Sequence, residues 1–534
     1  MNDIPLTERA VQLVGPDKLE LNPAKPVVNP GRRQILAKVE AVGLCFSDLK
    51  LLKQFSEHSR KSAIVNGLGS RALAEMPNYV PGDKPTVPGH EAVVRVVKVG
   101  PGVDRYKIGE RFLVETDYRW LPTDKSNAAF GYNFEGALQE YVLLDERVIT
   151  SPEGESMLIP APESLSASAL ALIEPWACVE NAYTEVQRRT LKPGGRLLVV
   201  GDAAVDPAAV ERCPGRPAST DSTSSAAVDD QPDGAYDDVV YFGAEPATAE
   251  KLFAKLAARG LLTIVQGGRK FGRPVEAQVG RVHYGGIRVI GATGVDPAAA
   301  FAAIPASPEI RQGDAVNIVG AAGPMGTMHV IRVLCQGARG VTVYAGDLND
   351  ERLAGLRALA LPLARKNGGV LHTYNPSKDS PSEAFNVTVL MAPVVALVAQ
   401  AVDTSARNAI INIFAGIPAD KTVAIDLDAY VEKQLYFVGT SGSELNDMKR
   451  VLAKVVSGEL DTNFSVAAVS GLDGAIDGIR AVEKNLLPGK ILVYPSCRDL
   501  KLTALAELGG ATPLESGHWS GAAEAALLRR FSKP

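Results

Sequence analysis

The chain has 534 residues, of which 46% are hydrophobic and 22% charged, and a formal net charge of -5. That length allows two or more domains with sizeable cores, and the slightly acidic balance supplies no basic field for nucleic acid or an anionic membrane. No apolar run approaches the roughly 20 residues of a spanning helix, and the opening MNDIPLTERAVQLVG lacks the basic and apolar regions of a signal peptide.

Cys45, Cys178, Cys213, Cys335 and Cys497 are scattered and form no CxxC pair, the pattern of a cytoplasmic protein rather than of a disulfide framework. From the N-terminus to about residue 190, short β-type runs alternate with glycine and proline. QILAKVEAVG (34–43), EAVVRVVKVG (91–100) and ERFLVE (110–115) are examples, and strands at this spacing predict a mainly β domain, a partly open barrel. Beyond LKPGG (191–195) the pattern turns to α/β. RLLVVGD (196–202), DDVVYFG (237–243), LLTIVQGG (261–268) and GIRVIGATG (286–294) read as strands. PATAEKLFAKLAARG (246–260) reads as an amphipathic helix, opened by Pro246 and stopped by Gly260. Residues 203–234 are small, polar and proline-bearing, and read as a long loop where an opening crossover helix belongs. The α/β pattern then begins again with DAVNIVG (314–320), VTVYAGD (341–347), FNVTVLM (385–391), AIINIFAG (409–416) and QLYFVG (434–439). A near-complete doubly wound unit thus follows a partial one.

GAAGPMG (320–326) directly follows the strand DAVNIV and opens a helical run. Gly320, Gly323 and Gly326 suit a tight turn that a pyrophosphate approaches closely, with Pro324 and Met325 leading into a helix N-terminus that offers N–H groups and partial positive charge. The plain alternative is an ordinary strand–helix turn. Asp347 ends the next strand, in YAGDLNDERL. Its carboxylate suits an adenosine ribose 2′-OH and repels a 2′-phosphate, favouring NAD over NADP; it would equally serve as a helix N-cap. Cys335 shares a helix face with Met328 and Ile331 and reads as core. The earlier strand RLLVVGD runs into AAVDPAAV with no glycine turn, so no dinucleotide is expected there.

Cys45 stands in GLCFSDLK (43–50), His90 and Glu91 in PGHEAVV (88–94), and Glu174 in ALIEPWACVENAY (171–183). One thiolate, one imidazole and one carboxylate, plus a water, make a four-coordinate catalytic zinc site with an open position. By themselves, Cys45 also reads as a small buried hydrophobe and His90 as a structural histidine.

In order, GLCFSD, PGHE, GALQEYV, LIEPWACV, GAAGPMG and GDLNDERL resemble the zinc-dependent medium-chain dehydrogenase/reductase family, nearest its sorbitol and threonine dehydrogenase-like polyol branch. Further phrases, MPNYVPGDKPTVPGHE and INIFAGIP among them, resemble a long-form subgroup with an extra α/β unit. The resemblance covers roughly residues 30–495. It implies a GroES-like catalytic domain over 1–190, a partial Rossmann-like unit over 191–312 and an NAD-binding Rossmann domain over 313–445. Residues 446–534 would return to the catalytic domain and add a C-terminal extension. It implies Cys45, His90 and Glu174 as zinc ligands, with Glu91 a close or alternating one. Ser47 would begin proton relay, Asp48 would orient His90, and Arg352 would join the glycine turn and Asp347 around NAD. Cys178, four residues beyond Glu174, is either a substitute ligand or core. The family's four-cysteine structural zinc lobe should fall near 111–135, where ETDYRWLPTDKSNAAFGYN has no cysteine, so one catalytic and no structural zinc is expected. Residues 53–84 should form an extra helix, whose Arg60, Lys61 and Arg71 either receive a phosphorylated substrate or are solvated charges. The expected activity is hydride transfer between NAD and a secondary hydroxyl or ketone of a polyol, sugar or sugar phosphate, by a homo-oligomer. Two other classes share these features: a zinc-free quinone- or enoyl-type reductase, and a non-catalytic NAD-binding protein.

Overall fold

The computed structural model describes residues 4–203, 205–440, 442–510, 512–514 and 517–531. Two compact units divide the chain, one of Met1–Ala177 with Glu444–Pro534, the other of Cys178–Ser443. Among the described residues no helix is long and apolar enough to cross a membrane.

The first unit is built on an eight-stranded sheet. Its two longest members, Gln34–Gly43 and Glu91–Val99, are rich in Val, Ala, Ile and Leu and mostly buried, as half-buried or central strands should be. They pair antiparallel so that Gly43 lies opposite Glu91. The strand Lys490–Val493 pairs antiparallel along the other side of Gly43, with Leu492 opposite it. Gly43 is therefore flanked by strands from both ends of the sequence, and the Phe46–Gln54 helix starts three residues later. A second long-range link ties down the C-terminal helix Gly521–Phe531. Glu524, only 6% exposed, accepts hydrogen bonds from the backbone of Ala167 and Ser168, both at 2.7 Å, and from the Tyr494 hydroxyl at 2.9 Å. Glu524→Ala leaves these donors buried without a partner, and should cost about 3 kcal/mol of stability in denaturant titration.

Residues 53–84 do not form one helix. Short 3-10 turns at Phe55–Glu57 and Ser59–Lys61 and a single helical turn at Ser70–Ala74 take their place. The prolines and glycines of GLGS and PNYVPGD interrupt the segment before a longer helix can propagate.

The second unit carries two parallel sheets. The five-stranded sheet runs in the order Ser219–Ser224, Arg196–Gly201, Tyr236–Phe242, Leu256–Val265, Arg288–Ala292. The six-stranded sheet runs Val370–Tyr374, Thr342–Gly346, Ala315–Val319, Phe385–Leu390, Ser405–Ile413, Tyr436–Val438. The central strands Tyr236–Phe242, Ala315–Val319 and Phe385–Leu390 are mostly apolar and mostly buried, as parallel strands covered on two faces are, with Asp238, Asn317 and Thr388 as buried polar exceptions. The six-stranded sheet reverses its strand order beside Ala315–Val319, the place where doubly wound sheets bind ligands. Residues 203–234 are not the expected loop. They form a short helix Pro207–Glu211, the strand Ser219–Ser224 and a 3-10 stretch Ser225–Asp230. STDSTS pairs on one side only, with Arg196–Gly201. An edge strand with partly exposed residues throughout needs no apolar run, so hydrophobic patterning does not reveal it.

Candidate metal centre and cofactor turn

Cys45 is the N-cap of the Phe46–Gln54 helix and has extended backbone angles. Its N–H donates to Asp48 Oδ2 at 3.1 Å, while the Asp48 N–H donates to the Cys45 carbonyl at 3.2 Å. The other oxygen, Asp48 Oδ1, lies 3.1 Å from His90 Nδ1. One carboxylate thus fixes the helix start and accepts a hydrogen bond from the Nδ1–H of His90, leaving Nε2 as the ring atom for a metal. Ser47 Oγ donates to Cys45 Sγ at 3.1 Å and lies 3.3 Å from His90 Nε2. Burial works against a charged imidazole, but Tyr132, then Asp48 and the Cys45 sulfur, raise the His90 pKa well above the ordinary histidine value.

Glu91 is fully buried beside His90. Its Oε1 accepts from Lys490 Nζ at 2.5 Å, and the same ammonium donates to the Leu44 carbonyl at 2.8 Å. Burial disfavours a charged Lys490, but Glu91 and Cys45 hold it protonated. Glu91 Oε2 is buried with no hydrogen-bond partner. It points at Gly43, where a Cβ would come within 2.1 Å of it; only glycine leaves this carboxylate its room.

Cys45, His90 and Glu91 each offer one ligand atom, and these atoms lie within 4.8 Å of one another. A thiol, an imidazole and a carboxylate with an unpartnered oxygen fit a divalent ion of zinc's ligand preference. Glu174, on the Ile173–Thr184 helix, is outside this trio, and so is Cys178. Glu174 is nevertheless within electrostatic reach of it. Desolvation and the Glu91 charge push its carboxyl pKa up, against the pull of His90 and Lys490.

Sequence reasoning missed three neighbours. Tyr132 is 1% exposed, its ring stacked 5.2 Å from His58 and tilted 5.7 Å from His90. Glu115 is buried, and desolvation followed by Asp117 pushes its carboxyl up to about 8. Lys490 is 399 residues from Glu91 and has no local signature. The three basic residues treated together in the sequence part company. Arg60 lies over the Tyr132 ring at 5.4 Å and pairs with Asp117 at 3.0 Å. Lys61 is fully buried, its amine donating to the Val80 carbonyl and, at 2.8 Å, to that of Lys84. It is neither a solvated charge nor a free phosphate receptor. Arg71 is exposed.

In the second unit, Gly320 adopts φ +83, and its N–H and that of Ala321 donate to the Gly346 carbonyl at 2.8 and 2.9 Å. A Cβ on Gly326 would lie 2.3 Å from the Gly320 carbonyl oxygen, so helix and strand meet only with glycine there. Gly323 caps the Pro324–Cys335 helix, with Pro324 in its first turn and Met325 following. A Cβ on Gly323 would meet nothing closer than 3.8 Å, so the space over the helix N-terminus is open. Asp347 is not the N-cap of the next helix. Asn349 caps Asp350–Lys366 by accepting from the Arg352 N–H at 3.0 Å. Asp347 Oδ2 instead accepts from the Ala322 N–H inside the glycine turn at 3.1 Å, and Oδ1 from Asn349 N at 3.0 Å. Arg352 is half-buried in that helix's first turn. Cys335 is part-exposed at a helix end rather than in the core.

Residues 31–153 match the alcohol dehydrogenase GroES-like domain. The chain is 24% identical over 248 residues to mannitol-1-phosphate 5-dehydrogenase of Aliivibrio fischeri, covering 42% of this chain and 58% of that one. It is 28% identical over 195 residues to sorbitol dehydrogenase of Bacillus subtilis, covering 33% and 44%. The chain therefore spans less than three fifths of the length of these curated relatives. The crystal structure of 2R,3R-butanediol dehydrogenase from Bacillus subtilis superposes with a TM-score of 0.55 at 16% identity, over 92% of this chain and 100% of that one, a likeness of fold.

Proposed function

Because the chain belongs to the zinc-type medium-chain dehydrogenase/reductase family, we propose that it is an NAD-dependent dehydrogenase of a polyol, sugar or sugar phosphate. It would interconvert a secondary hydroxyl and a ketone. The observation that carries this reading is the convergence of Cys45, His90 and Glu91, each of which offers a ligand atom within 4.8 Å of the others. Cys45 and His90 would hold zinc, with Glu91 or Glu174 as the carboxylate ligand. Zinc would supply Lewis-acid polarisation of the substrate oxygen, and NAD at the 320–326 turn would supply the hydride acceptor.

The chain's own residues do the rest. Asp48 keeps the Nδ1 proton on His90 and so holds the ring in one tautomer. The Ser47 hydroxyl sits against both Cys45 and His90; its Oγ would accept a hydrogen bond from the substrate hydroxyl and orient it. Lys490 balances the negative charge of Cys45 and Glu91 in a buried site, where an unpaired charge would be costly. In the cofactor turn, Asp347 fixes Ala322 and sets a carboxylate where a 2′-phosphate would be repelled.

Three outcomes test these roles. Asp48→Asn should weaken zinc affinity about 10–100-fold, read by competition with a chromophoric chelator, because it removes the carboxylate that orients the imidazole. Asp347→Ala should narrow the preference for NAD over NADP; equal affinities of the two in the unsubstituted chain would contradict its role. The substrate class rests on the polyol and sugar phosphate relatives, and Arg60, beside Tyr132 and paired with Asp117, would be the cation to meet a phosphate. Arg60→Ala should raise KM for a phosphorylated substrate and spare kcat. Preference for simple primary alcohols over every polyol and sugar tested would refute the assignment.

A further inference from the structure

The two sheets of the second unit end on the same run of elements. In the first half these are Leu256–Val265, Val275–Ala277, the helix Gly280–Tyr284 and Arg288–Ala292. In the second they are Ser405–Ile413, Val423–Ile425, the helix Leu427–Glu432 and Tyr436–Val438. Val275 and Val423 begin the short strands, Arg288 and Tyr436 the last ones, both at a separation of 148 residues. Even a left-handed residue recurs, Arg259 and Asn408 both having φ 59.

The halves meet through these elements, and they meet reciprocally. The short strands pair antiparallel, Val275 with Ile425, Glu276 with Ala424 and Ala277 with Val423. Exchanging each residue for its counterpart 148 positions away swaps the first and third pairs and returns the middle pair to itself. A local two-fold axis therefore passes through Glu276 and Ala424. The helices obey the same rule. Gly291 makes room for Val431, whose Cγ2 would lie 2.4 Å from a Cβ there. Its counterpart Gly439 makes room for the counterpart of Val431, His283, whose Cα would lie 2.9 Å from a Cβ. Asp428 accepts from the backbone of Phe271 and Gly272 in the first half, both at 3.0 Å. Its counterpart Gly280 packs against Ala419, the counterpart of Phe271, whose Cα would lie 3.1 Å from a Cβ on Gly280. One apolar core runs through both halves, joining Val282, Val289, Ile425, Tyr430 and Phe437.

Contact of i with j matched by contact of j with i is the mark of an isologous interface, normally made by two copies of one chain. The first half carries this face without the glycine turn of the second. At the end of its first strand, the Asp202 carboxylate is engaged by the Tyr241 hydroxyl at 2.7 Å, the Ala244 N–H at 3.1 Å and Arg269 at 3.1 Å. We infer that the first α/β half is a built-in partner for the second, an internal pseudo-two-fold dimer whose docking face is occupied by the same chain and closed to a second copy.

Cysteine cross-linking at the axis tests this. Glu276 and Ala424 are exposed and directly opposed, and opposed antiparallel residues stand about 4.5–5.5 Å apart at Cα, inside the disulfide range. Under mild oxidation Glu276→Cys/Ala424→Cys should close a bond within one chain, so that its mass on a non-reducing gel stays that of a single chain and two titratable thiols are lost. Ala424→Cys alone should give no linked dimer beyond that of the unsubstituted chain. A linked dimer from Ala424→Cys alone would place two second halves across one axis and overturn the inference. Linked dimers from the double variant, or failure of its pair to close in protein that melts at the unsubstituted Tm, would overturn it as well.

Discussion

Cys45→Ser should strip the metal from the first unit and, with it, nearly all activity. Zinc per chain should fall from about one to under about a tenth. Lewis-acid stabilisation worth several kcal/mol would go with it, a loss on the order of 1000-fold in kcat/KM. Serine fills almost the same volume and can still cap the Phe46–Gln54 helix, so the fold should survive and the effect can be read as chemistry. Cys335→Ser is the control. That thiol sits part-exposed at the end of the Pro324–Cys335 helix, in the other unit, and should leave metal content unchanged.

Gly323→Asp should abolish NAD binding with little cost to the fold. The nearest atom to a Cβ at this position is the Gly320 carbonyl oxygen at 3.8 Å, an ordinary contact. The aspartate can cap the helix as glycine does, but its charge would face the pyrophosphate. Two negative charges 4 Å apart at an effective dielectric of 20 repel by about 4 kcal/mol, on the order of 1000-fold in Kd. Calorimetry should find one NAD site per chain before the change and none after it. Two equivalent sites in the unsubstituted chain would mean that the first α/β half binds NAD too.

What the sequence made legible is what is local. Cys45, Ser47 and Asp48 lie within one helical turn, so their mutual hydrogen bonds follow from the helix start that GLCFSD encodes. The glycine turn and Asp347 are legible as the ends of successive strands separated by one helix, whereas the bond that joins them, from the Ala322 N–H to Asp347, was not. Long-range partners were not legible. Lys490 reaches Glu91 only because Lys490–Val493 and Glu91–Val99 flank the same strand, and nothing near LPGK announces it. Arg60, Lys61 and Arg71 show the same limit from the other side: one type of charge in one segment has three surroundings, set by the backbone carbonyls and carboxylates that tertiary structure supplies. The strand Ser219–Ser224 escaped because an edge strand can be wholly polar. The pairing of Val275–Ala277 with Val423–Ile425 escaped because three-residue strands carry too little pattern to be seen alone.

The most direct test of a zinc–NAD dehydrogenase built on Cys45, His90 and Glu91 is metal analysis of the purified protein coupled to a single assay. NADH formation from a panel of polyols and sugar phosphates is followed before chelation, after it, and after zinc is restored. The account predicts about one zinc per chain, loss of NADH formation when zinc is removed, and recovery when it is returned. Undiminished NADH formation from protein shown to contain no zinc would contradict it.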